Sequence, residues 1–268
     1  MNLTRCCGGA QNGELVSSLE RAARQAGQAL PRVELADVNR AVGLRLAAAL
    51  LPSARDAPPA ARDACAQACP MPALRFAEVH AAAAAHSAFE TDAQAWASAA
   101  SALAAAAPKH DALDGAPLMR RSHRPAPLTR DSPGTRVITA TSTLLLLRGV
   151  ADGGAAVAPD AAAGALRRAG VWPVVPWQPA SAAFSARCAT RPLASAGARC
   201  VAVVANRSSA VGPLCAAAIG AARLLNSGAY LHWFQRFDVS RDALQDGLEA
   251  TRAVVAEYRA AHGHETEA

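Results

Sequence analysis

A chain in which more than one residue in four is alanine has little side-chain volume with which to fill an interior, and this limits what it can fold into. Alanine occupies 72 of the 268 positions, so roughly half of the 52% counted as hydrophobic is alanine. The larger apolar residues, about a quarter of the chain, suffice for a core only where they gather in a few strands and helix stripes. The length fits one large domain or two smaller ones. Collagen, a disulfide miniprotein and a wholly disordered chain are excluded by this composition.

Hydrophobic periodicity predicts the order of elements. Ser17-Ser18 precede a helix over 19–26 that stops at Gly27 or Pro31. Asp37 opens a second, with Val38, Val42, Leu46 and Leu50 at helical spacing and Pro52 at its end. A short helix over 62–68 is stopped by Pro70. Longer ones are expected over 91–107, capped by Thr91 or Asp92, and over 160–169. Strands are expected over 74–79, 137–147, 171–177 and 200–205, the third at an edge because Pro173 and Pro176 cannot donate to a ladder. The chain then turns helical: Ser208 is expected to cap a helix through Leu225. Ser240 is expected to cap another whose Leu244, Leu248, Thr251, Val255 and Tyr258 share one face. The expected class is α/β, more narrowly an α+β two-layer sandwich with a four-stranded mixed sheet, closed by an antiparallel helical hairpin.

Several chemistries are absent. A Walker loop needs Gly-Lys-Ser/Thr, and the single lysine, Lys109, lies between Pro108 and His110. There is no G-x-G-x-x-G, G-x-S-x-G or H-E-x-x-H motif. Cys65 and Cys69 are spaced i, i+4 with His80 nearby, but no second ligand pair accompanies them, so they read as small core residues rather than a metal site. His232 reads as packing at a helix end. Seven cysteines are an odd number for a disulfide framework and no apolar leader is visible, which points to a reducing, cytoplasmic setting. Apolar runs are cut by Arg148 and Arg223, so no membrane partner is expected. The net charge of +6 is carried almost entirely by arginine, five of them between Arg120 and Arg136 among prolines. Without interleaved aromatics that stretch reads as a solvated loop, and nucleic acid is not an expected partner.

The most specific string is Ala229-Tyr230-Leu231-His232-Trp233-Phe234, between the two closing helices, followed by Val254-Val255-Ala256-Glu257-Tyr258 late in the second. It resembles the tubulin family, in which a long helix leads to an A-F-L-H-W-Y-type segment and a final amphipathic helix closes with Val-x-Glu-Tyr. Three further strings fall in the family's order. Asp37-Val38-Asn39 resembles the start of the central helix, Leu145-Leu146-Leu147-Arg148-Gly149 a strand ending in Arg-Gly, and Val203-Val204-Ala205-Asn206-Arg207-Ser208-Ser209 the strand-to-helix passage. Gln235-Arg236-Phe237-Asp238-Val239, in place of a Gly-Glu-Gly-Met turn, resembles the delta type most.

The resemblance implies the C-terminal half of such a protein. Residues 1–18 are unmatched and 19–53 correspond to a remnant of the nucleotide domain with the central helix. Residues 54–206 correspond to the intermediate domain, a two-layer sandwich, and 207–268 to the C-terminal helices. It implies GTP as the family's ligand, other tubulin subunits or microtubule and centriole components as partners, and a cytoskeletal location at centriole, basal body or cilium. The glycine-rich phosphate loop has no counterpart here. Asn39 matches the asparagine that pairs with guanine, whereas Leu35 stands where an aromatic normally stacks on the base, a contact worth roughly 1–3 kcal/mol. In the longitudinal-contact loop Asp63 matches the family's aspartate and Ala66 replaces the glutamate that activates water. The chain is therefore expected neither to hold GTP alone nor to be an enzyme. The alternatives are a piece of an intact GTPase of the epsilon or another tubulin type, and an arginine-rich anion-binding α/β module. On the tubulin reading, the closing helices should lie antiparallel with the Tyr230 to Phe234 aromatics wedged at their junction. The helix bearing Val42 and Leu46 should lack the domain that normally covers it.

Overall fold

The structure, a computed structural model, describes residues 39, 42–43, 46–48, 60–84, 91–107, 109–112, 135–150, 157–179, 183–189 and 199–263. At its centre are strands β1 (Glu78–Ala84), β4 (Ala140–Arg148), β5 (Phe184–Ala189) and β6 (Arg199–Arg207). They join in the order β1-β6-β4-β5, β4 and β5 parallel and the other pairs antiparallel, so the fold is mixed α/β on a four-stranded mixed sheet. β4 is buried almost throughout, as its unbroken apolar run requires of a strand covered on both faces. A two-stranded ribbon, β2 (His110–Ala112) with β3 (Thr135–Val137), precedes it.

Alternation along the strands divides the interior. Leu145, Leu147, Val201, Val203 and Ala205 face helices α2 (Asp92–Ala106) and α3 (Val157–Ala169), where Trp96, Leu103 and Leu166 supply the bulk that alanine lacks. On the other face, Leu144 and Val204 meet Ala64 and Ala68 of helix α1 (Ala60–Ala68), and Cys200 and Ala202 meet Ala48. Small residues line this face, so the sheet carries a thinner second cover there beyond the two layers expected. The α2 cap is Thr91, in a reciprocal capping box with Gln94.

After β6 the chain makes a 3-10 turn (Ser208–Ala210) and then α4 (Val211–Asn226), the short α5 (Leu231–Gln235) and α6 (Arg241–Ala261). Val211 at the start of α4 packs with Val255 and Tyr258 late in α6, and Leu225 at its end with Leu248, so the two run antiparallel. α4 ends as glycine after a helix dictates: Gly228 has φ +67°, its N–H reaches Leu225 O and that of Ala229 reaches Leu224 O. Ser240 caps α6 by accepting from Ala243 N at 3.1 Å, and Leu248, Val255 and Tyr258 form its buried stripe, as expected.

Several expectations fail for identifiable reasons. Residues 74–77 are not strand, because Asn206 takes Leu74 O and Tyr258 takes both backbone groups of Phe76. The stretch 171–177 pairs only through Val174 opposite Ala140, with prolines on either side of that pair; the fourth strand is β5 instead. Ser208 does not cap α4, since β6 runs on to Arg207 and its hydroxyl accepts from Thr139 N. The predicted helix over 19–26, Leu35 and most of the 120–136 loop lie outside the described residues.

Leu145→Ala, at the centre of β4 and fully buried, should cost about 2–5 kcal/mol in urea denaturation. Leu224→Ala, half exposed on α4, should change stability by less than about 1 kcal/mol.

Candidate functional site

Residues 39, 42–43 and 46–48 are helical, and this helix lies on the same sheet face as α1: its Ala48 and the α1 alanines both pack beside Leu146. Arg148, buried at the end of β4, holds it in place by donating from Nε to Ala48 O at 2.6 Å. Asn39 is exposed on it, and Val42 and Leu46 are 37% and 45% exposed, leaving an apolar stripe uncovered by any described residue. Asp63 and Ala66 are exposed on α1, the short helix expected there, and Asp63 Oδ2 lies 3.9 Å from Arg187 Nη1 on the edge strand β5. The structure thus brings the supporting helices of Asn39 and Asp63 to one face, but the described residues build no enclosed site around either side chain.

The polar chemistry gathers elsewhere, where β6 ends. Arg207 is fully buried, donating from Nη1 to Glu78 Oε2 at 3.2 Å and from Nη2 to Val171 O at 3.1 Å, with its guanidinium 5.7 Å from the centre of the Trp172 ring. Glu78 also binds His80 Nε2 at 3.1 Å and accepts from Ser209 Oγ. Burial pushes the Glu78 carboxyl up, but the His80 hydrogen bond, the Arg207 charge and Ser209 outweigh it and hold the pKa at about 2. One residue earlier the chain turns to the opposite face. Asn206 donates to Leu74 O and to Cys69 Sγ, and accepts at Oδ1 from Tyr258 OH at 2.9 Å. Tyr258 OH in turn accepts from Phe76 N at 2.9 Å, and burial raises its pKa to about 12.

Neither cluster was named from sequence. Asn206 and Arg207 stand in the family-like string, but a single chain gives no sign that Glu78, 129 positions away from Arg207, is its partner. The cysteines do not behave as expected: Cys65 is exposed and Cys69 half-buried. Burial raises the Cys69 thiol and pushes that of Cys200 to about 11, so both are protonated and unreactive near neutrality. Among the described residues no group of His, Cys, Asp or Glu is arranged to hold a metal ion.

The aromatics of the most specific string lie at the helix junction but are not wedged into it. Tyr230, Trp233, Phe234 and Phe237 are 60%, 51%, 44% and 77% exposed, Arg236 lies over the Trp233 ring at 5.1 Å, and His232 is exposed rather than packed. Tyr230 adopts φ +62° to begin α5, a conformation that side chains other than glycine seldom take. One described helix, Ser208–Asn226, has the length and hydropathy of a membrane span; its Val211, Ala218 and Leu225 are buried toward α6, and most of its other residues are only partly covered. No family model and no curated protein matches the chain.

The depressed Glu78 pKa sets a pH dependence. The carboxylate stabilises the fold fully above the unfolded value near 4.5 and loses that contribution as pH falls toward about 2. Denaturation between those limits should show stability falling with pH, and Glu78→Gln should flatten the slope. Glu78→Ala, which removes a carboxylate from the buried Arg207, should cost about 3–5 kcal/mol at neutral pH.

Proposed function

We propose that this chain is the C-terminal half of a tubulin-superfamily subunit of the delta type, a cytoskeletal protein acting in microtubule, centriole and basal body organisation. The observation that supports the reading is that three of the family-like strings coincide with element boundaries. Arg148-Gly149 ends β4, with Gly149 at φ +80°, and residues 203–209 pass from β6 into the 3-10 turn. Tyr230 to Phe234 occupies the short link between antiparallel helices, and Asn39 lies on the helix laid across the sheet.

The residues do not fit bound GTP. Asn39 is exposed without a stacking aromatic among the described residues beside it, Leu35 is aliphatic, and Ala66 has no group with which to orient water. No hydrolytic step is assigned to this chain. The uncovered Val42 and Leu46 are consistent with a surface that a further domain covers in the full family.

Two measurements test the proposal. The purified chain titrated with a fluorescent GTP analogue should show no saturable binding. The tagged chain, expressed in centriole-bearing cells, should concentrate at centrioles or basal bodies; a uniformly diffuse signal from folded protein would overturn the assignment.

A further inference from the structure

The C-terminal helices enter and leave the body of the molecule at one residue. Ser208, which opens the turn before α4, donates its N–H to Thr139 O at 3.0 Å and accepts Thr139 N–H at Oγ at 3.1 Å. His262, directly after α6, is 6% exposed, its ring stacked on that of Tyr258 and its Nδ1 2.6 Å from Thr139 Oγ1. Thr139 itself lies in the two-residue break between β3 and β4. Its backbone holds the first residue of the helical unit and its side chain the last.

Outward from this root the packing changes character. Near it, Val211, Val255 and Tyr258 pack on Leu74, and Trp177 Nε1 donates to Ala261 O at 2.6 Å. Farther out, Ala218, Leu225, Leu231, Leu244 and Leu248 form a cluster whose members all belong to α4, α5 and α6. The distal half of the unit is thus held to the described body only through its root.

We infer that residues 208–262 form an arm that releases from the 69–77 segment and turns on the Thr139 root as a unit while the four-stranded sheet stays folded, the Thr139–His262 contact serving as its latch. The geometry separates hinge from latch. The hinge is two backbone-anchored bonds to Ser208 with Ser209 on Glu78; the latch is a few side-chain bonds from Thr139, Trp177 and Tyr258 to the last turn of α6 and the 69–77 segment. Opening breaks the latch, the Tyr258–Asn206 bond and the Met71 and Leu74 contacts, a smaller loss than parting any pair of sheet strands, so it precedes global unfolding. The inference does not rest on the tubulin reading.

Hydrogen exchange of the full chain, read by mass spectrometry, tests it. In the wild type, peptides from 69–77 and 254–263 should exchange through a faster opening than those from β4 and β6. Thr139→Val keeps the branched shape and both backbone bonds to Ser208 but removes Oγ1. It should speed exchange at 69–77 and 254–263 by about twofold to tenfold, the effect of losing one modest hydrogen bond, with β4 and β6 unchanged. Trp177→Phe, which cuts the Ala261 bond alone, should do the same and serves if Thr139→Val folds poorly. A single common exchange rate for arm and sheet in the wild type, or equal acceleration of both in the variants, would overturn the arm.

Discussion

The last two residues of β6 hold the layers together. Adjacent residues on a strand point to opposite faces, so Asn206 and Arg207, both fully buried, reach into different halves of the molecule from one point. Arg207 reaches Glu78, Val171 and Trp172 on the side of α2 and α3. Asn206 reaches Leu74 and Tyr258, and through them α6, on the other. A buried guanidinium is tolerable only when its hydrogens are met and a counter-charge is close, and Glu78 meets the second condition because it is itself saturated by His80 and Ser209. The position of the C-terminal helices is thereby fixed by polar groups, in a protein whose alanine-rich packing specifies orientation poorly.

That poverty of shape explains where bulky residues occur. Trp96 and Trp172 lie on the α2/α3 face, where long helices must be held about a side chain's length from the sheet. On the other face Ala48, Ala64 and Ala68 allow near backbone contact, and specificity there comes from hydrogen bonds to carbonyls. Arg148 reaches Ala48 O and Ser142 reaches Ala68 O. Alanine interfaces gain little from interlocking side chains, and the carbonyl bonds supply the register that shape does not.

What was legible in the sequence follows the same division. The strongly patterned elements, β4, β6, α2 and α6, could be placed within a few residues, as could the Thr91 and Ser240 caps, because apolar runs and capping side chains act locally. The failures come from tertiary partners. Leu74 to Ala77 alternates like a strand but has its backbone claimed by Asn206 and Tyr258, and Ser208 looks like a cap but is drawn to Thr139. β5, Phe-Ser-Ala-Arg-Cys-Ala, alternates apolar with polar residues through Cys188, but its small Ala186 and Cys188 make that signal weak in so alanine-rich a chain. The residues singled out for a site, Asn39, Asp63 and Ala66, are exposed on two helices that share a sheet face, whereas the buried Glu78, Arg207, Asn206 and Tyr258 meet across large separations that no local pattern records.

The exposed aromatics at the helix junction belong to the same physical account. Tyr230 begins α5 in a left-handed conformation and Asp238 leaves the following turn in another, φ +57°, so the segment between them is held in shape by its backbone rather than by burial of its rings. Trp233 instead stacks beneath Arg236, and Leu231 alone among the string's large apolar residues packs inward, against the distal cluster of the arm. A sequence read for hydrophobicity assigns all of these rings to the core. The geometry of the link admits only Leu231, because five residues of helix between two positive-φ turns turn one narrow face toward α4 and α6 and leave the others outside.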